Sequence, residues 1–78
     1  MNKLDATIQT HRKKFGKFLI GLRVEANLTQ RDVSDCLGYT TAQFVSNIER
    51  GKSVTPIDTV VRMAEIYKAP ATKVEGAL

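Results

Sequence analysis

Between Cys36 and Ile48 the chain carries no charged residue, although 26% of its residues are charged overall. Thr40, Thr41, Gln43, Ser46 and Asn47 are set there among Tyr39, Phe44, Val45 and Ile48, and the stretch closes on Glu49-Arg50-Gly51-Lys52. Short, uncharged polar side chains suit directional hydrogen bonding. The Gln and Asn amides present a donor and an acceptor together, and the Thr and Ser hydroxyls are short and adaptable. Such a segment is equipped to recognise a partner and supplies no nucleophile–base pair.

Catalysis is not expected elsewhere either. The chain has one His and one Cys, His11 and Cys36, with no grouping at metal-ligand spacing and no Gly-rich phosphate loop. The reading is therefore no enzyme, no catalytic residue, no metal and no cofactor. Cys36 cannot form an internal disulfide and is expected to be an inert, partly buried thiol in a reducing compartment. The opening MNKLDATIQTHRKKF lacks the apolar run and cleavage pattern of a secretory signal, and no segment approaches the length of a membrane span. A cytoplasmic location without a membrane partner is expected.

Twelve Lys and Arg against eight Asp and Glu give a net charge of +4 and a pI near 9.5. That excess favours a polyanion such as nucleic acid as partner. His11, Arg12, Lys13, Lys14, Lys17, Arg23 and Arg31 lie in the first half of the chain. A merely solvated basic face is the plain alternative.

The 78 residues suffice for one small domain, near the lower limit for folding without a staple. Leu4, Ile8, Phe15, Leu19, Leu22 and Ala26, with Phe18 beside them, follow helical spacing and predict a first helix. Asp5 is a candidate cap, Thr10 the latest start and Asn27 the end. Gly16 and Gly21 each weaken that helix by about 1 kcal/mol relative to Ala.

Thr29 and Asp32 predict a capping box for a helix over 30–37, with Val33 and Leu37 inward and Gly38 as its stop. A third helix is expected from Thr41 or Ala42 to Arg50, with Val45 and Ile48 inward and Gly51 as its stop. Thr55-Pro56-Ile57-Asp58 reads as the start of a fourth, with Thr55 capping, Pro56 first and Asp58 completing the box. Ile57, Val60, Val61, Ala64 and Tyr67 repeat at helical spacing up to Lys68, and Ala69-Pro70 breaks the pattern. No window shows sustained alternation. The expected fold is all-α, a bundle of four or five short helices. Residues 1–14 extend the first helix, 15–70 form the domain, and 71–78 form a tail or short helix.

The helices at 30–37 and 41–50, with a turn at Gly38 between them, form a candidate helix-turn-helix. Such a pair needs a small residue facing its second helix, which Ser34 supplies. Val33 and Leu37 seal the first helix and Val45 and Ile48 the second, leaving an outer side free to meet base edges.

FGKFLIGLR (15–23), LTQRDVSDCLG (28–38), VSNIERGK (45–52) and TPIDTVVRMAEIY (55–67) together resemble the lambda-repressor/Cro, or XRE, family of helix-turn-helix domains. The resemblance runs from about Phe15 to Pro70. Ser34 stands where alanine is usual, and the turn is one residue longer than the commonest form. The resemblance implies a sequence-specific regulator of transcription, a repressor, that lays helix 41–50 in the major groove of double-stranded DNA. It places Ala42, Gln43 and Asn47 at base-facing positions, with Thr41 and Ser46 beside them. Gln and Asn match adenine N6 and N7. Gln30 matches the residue that grips a phosphate, and Thr40, Arg50, Lys52 and Ser53 are the further phosphate candidates. A bacterial or phage origin, a near-palindromic site and a homodimer are implied, the dimer contact being expected around 55–68, Val74 and Leu78. The extension at 1–14 exceeds the minimal family domain and is expected to lie along the DNA backbone or to assist dimerisation. Tyr39 and Phe44 are expected to pack in the turn or core, and Arg23 with Glu49 to form a structural ion pair or cap. The rival readings are a protein-interaction module, such as an antitoxin or adaptor, and a non-specific architectural DNA binder.

Overall fold

The computed structural model describes residues 3–68 together with 74, 76 and 77. Its four helices are α1 (Lys3–Glu25), α2 (Gln30–Leu37), α3 (Gln43–Glu49) and α4 (Ile57–Ile66), with no strand among the described residues. Val74, Gly76 and Ala77 are helical as well. α3 packs on both α1 and α2, and α2 also meets α4. The core is Phe15, Leu19 and Leu22 of α1, Val33 and Leu37 of α2, Val45 and Ile48 of α3, and Val60, Met63, Ala64 and Tyr67 of α4 and its end, closed by Val74.

Each helix end has a local cause. The capping box of α2 is complete: Thr29 Oγ1 accepts from the Asp32 amide at 3.0 Å, and the Thr29 amide donates to Asp32 Oδ2 at 2.8 Å. That backbone bond, with the hydroxyl's help, holds the Asp32 carboxyl below its ordinary pKa. α1, α2 and α3 all stop on a left-handed residue, Asn27, Gly38 and Gly51. In each case the next amide reaches back five residues, Leu28 to Arg23, Tyr39 to Ser34 and Lys52 to Asn47. This satisfies carbonyls that a helix end otherwise leaves bare. Lys68 takes the same backbone region after α4, which nothing in its side chain announces.

Several expectations are corrected. α1 begins at Lys3, so Asp5 lies inside its first turn and does not cap it. Leu4, placed on the buried stripe by its spacing, is 66% exposed, and Ile8 is exposed too, because nothing among the described residues buries the first turns. α3 begins at Gln43, with Thr41 and Ala42 still in the turn. Thr55 does not cap α4: Pro56 holds the cap position with extended backbone, no side-chain cap bond forms, and the Thr55 hydroxyl is buried with no hydrogen-bond partner among the described residues. Val60, Ala64 and Tyr67 are buried as their spacing expects, but Ile57 is 58% exposed and Val61 only half-buried, and Thr59 and Met63 take the inward places instead. Cys36 is exposed, not partly buried. Val74 is wholly buried in its own chain and offers no dimer contact. Ala69-Pro70 and Leu78 lie outside the described residues.

Candidate nucleic-acid interface

Helical geometry sorts α3 into two sides. Val45, Ile48 and Glu49 are buried, while Gln43, Ser46, Asn47 and the following Arg50 recur at spacings of three and four on the opposite side. Gln43 and Arg50 are exposed, and Ser46 and Asn47 half-buried. Gln43 Nε2 donates to Asn47 Oδ1 at 2.8 Å, so the two amides form one platform. That bond does not use Gln43 Oε1 or Asn47 Nδ2. Thr40 and Thr41 are exposed ahead of the helix, and Thr41 Oγ1 accepts from the Gln43 amide at 3.3 Å. Ala42, half-buried, opens the helix without a side-chain cap.

The inner side of α3 is held by a polar knot. Glu49 is only 3% exposed. Its Oε2 takes the Arg23 Nε hydrogen at 2.7 Å, and its Oε1 accepts from Arg23 Nη2 at 3.2 Å and from Gln30 Nε2 at 2.9 Å. Arg23 Nη1 also donates to the Leu28 carbonyl at 3.0 Å. The hydrogen bonds to Glu49 raise the Arg23 pKa further above its ordinary value. One carboxylate thus ties α1, the start of α2 and the end of α3; the Arg23–Glu49 pair is as expected, and the Gln30 bond is additional. Burial pushes the neighbouring Tyr67 phenol well above its ordinary pKa, and its hydroxyl has no hydrogen-bond partner among the described residues.

Gly16 permits this approach of α1 to α3. A methyl group built on it would lie 2.7 Å from the Glu49 carbonyl carbon and 2.8 Å from the Ile48 oxygen. The two helices touch backbone to backbone there, which fixes α3 at its C-terminal end. At the other end, Tyr39 stacks on Phe44 with ring centroids 4.4 Å apart and planes 22° from parallel. The stack packs the turn against the start of α3, as expected of these two residues.

An eight-residue helix, a left-handed glycine stop, a short turn and a second helix with an amide-bearing outer side thus stand together. A family model described as a helix-turn-helix domain matches residues 14–76. The chain belongs to the helix-turn-helix domain family. That membership points to a DNA-binding regulator, with DNA as the partner class. Against curated proteins the chain gives no significant match.

Within this helix-turn-helix, Gln43, Ser46, Asn47 and Arg50 are brought to one surface. Gln30 sits at the first position of α2, half-buried, with one amide hydrogen engaged by Glu49. Arg50 and Lys52 flank Gly51 and are exposed. Ser53 is drawn towards α1, where it lines a groove of about 260 Å³ with Arg12, Phe15 and Val54. Spacing alone does not reveal Lys13. Its backbone nitrogen and Cγ lie 2.9 Å from where a Gly51 methyl would stand, which places it at the end of α3. The available signal is the pair of glycines, 16 and 51, that let the two backbones meet.

Proposed function

We propose that this helix-turn-helix protein is a sequence-specific regulator of transcription, a repressor of the lambda-repressor/Cro type, that reads double-stranded DNA with α3. The observation that carries the reading is the Gln43–Asn47 amide pair on the uncharged outer side of a helix whose other side is locked into the core. In the major groove the remaining acceptor of Gln43 and the remaining donors of Asn47 meet base edges, adenine N6 and N7 foremost. Ser46, Thr41 and Ala42 adjust fit and methyl contacts. Gln30, Thr40, Arg50, Lys52 and Ser53 take phosphates and set the register. The role is binding without catalysis, exercised in the cytoplasm of a bacterium or on behalf of a phage.

The protein acts as a homodimer on a near-palindromic site with half-sites about one helical turn, ~34 Å, apart. Its contact surface does not use Val74, which is occupied in the core. Val54, just before α4, and Ile57, its first residue, are both exposed and are the apolar groups that support a contact there.

Selection of bound duplexes from a random pool at near-physiological salt tests this reading. The expected outcome is a two-fold symmetric motif. Binding that falls steeply with salt yet enriches no motif would replace the specific regulator with an architectural binder. Absence of binding to any duplex would move the function to a protein partner.

A further inference from the structure

All four lysines of α1 fall on one sector of the helix. With successive residues about 100° apart, Lys13, Lys17, Lys3 and Lys14 lie within roughly 100° of its circumference, over a length of about 21 Å. Asp5, the one acidic residue between positions 3 and 17, projects outside that sector. The four lysines are exposed, whereas the cations that pair with Glu49 and Asp35 are Arg23 and Arg31.

The edge of this sector is anchored. Lys13 packs on Gly51, between Arg50 and Lys52, so the lysine face of α1 begins where the outer side of α3 ends. Glu49, the acidic residue nearest that junction in sequence, is buried and paired to Arg23, leaving the local surface cationic. Lys13, distant in the chain, is therefore brought beside the glycine that Arg50 and Lys52 flank, and all three residues are exposed.

We infer that the lysine sector of α1 is a second contact surface for the DNA backbone, taking phosphates beyond those reached from Arg50 and Lys52. The inference rests on the DNA reading of the helix-turn-helix and adds a partner surface outside it. A rail of this length lies parallel to several consecutive phosphates. It supplies affinity and orientation but no sequence information, since phosphates are the same at every base pair.

The test is the full chain carrying Lys13→Gln, Lys14→Gln and Lys17→Gln together, with Arg62→Gln on α4 as a control charge removal. Affinity is measured across a salt series for a selected duplex and an unrelated one. Each lost contact is expected to reduce the slope of log affinity against log salt by about 0.9. A triple change should therefore lower it by about 2–3. Both duplexes should weaken alike, and the thermal melt should not move. Wild-type slope and affinity in the folded triple variant would overturn the inference. An equal slope loss from Arg62→Gln alone would also overturn it, because net charge would then be the cause. If the triple change lowers the slope while Gln43→Ala and Asn47→Ala have no effect, the rail stands and the base-reading role of α3 falls. A wild-type chain that binds neither duplex sinks both.

Discussion

Ser34 shows how far a single side chain is legible. Its small size marks it as the residue of α2 that faces α3, and it is fully buried there. Its hydroxyl, however, finds no hydrogen-bond partner among the described residues. A buried polar group without a partner is destabilising, and removing it with little change of volume relieves the burden. Ser34→Ala is therefore expected to stabilise the fold by about 1 kcal/mol, which for a domain of this size raises Tm by about 4–8 °C. A thermal melt of the two proteins decides it, and a lower Tm in the variant would mean that Ser34 has a partner its burial conceals. Glu49 is legible in the sequence as half of an ion pair with Arg23. The third member, Gln30, reads there only as a phosphate ligand, because its bond to Glu49 depends on how α2 and α3 cross and not on spacing within either. Leu4 is misplaced by spacing for a related reason. A residue's side of a helix can be read from spacing, whereas the presence of a neighbour on that side cannot.

Among the elements, helix ends are more legible than helix starts. Asn27, Gly38 and Gly51 each stop a helix in the left-handed region, and each is a residue that tolerates it. Thr29 is equally plain, since its capping box with Asp32 is local in sequence. Thr55 carries the same local signal, yet it does not cap. The core takes up its hydroxyl and leaves the cap position to Pro56. Val60, Ala64 and Tyr67 keep their expected inward places, while the buried side of α4 widens to take in Thr59 and Met63 and leaves Ile57 outward. The two glycines of α1 look alike in the sequence and are not. Gly21 is exposed, with nothing among the described residues within 4 Å of where a methyl group would stand. Gly21→Ala should therefore stabilise by about 0.5–1 kcal/mol through helix propensity. Gly16 abuts the Ile48 and Glu49 backbone, so Gly16→Ala should destabilise by about 1–3 kcal/mol or more as α1 is forced off α3. Urea unfolding of both variants separates the cases, and two changes of the same sign would contradict the packing described.

At the scale of the whole molecule, charge and polarity are divided among surfaces. The outer side of α3 holds neutral amides and hydroxyls, its end and the adjoining face of α1 hold exposed cations, and the acid at their junction is neutralised internally. The all-α fold and the helix-turn-helix are legible in the sequence because they rest on periodicity and local stops. The continuity of the α1 lysines with the end of α3 is not, because it exists only once Gly16 and Gly51 bring distant segments together. The central claim is that the Gln43–Asn47 platform reads bases while the surrounding cations hold the backbone. It is tested most directly by measuring the affinity of Gln43→Ala and Asn47→Ala for a selected duplex and for the same duplex altered one base pair at a time. Each substitution is predicted to weaken the selected duplex by about 1–3 kcal/mol and to erase discrimination at one position, with the salt slope unchanged. Undiminished affinity with discrimination intact in both variants would contradict the account.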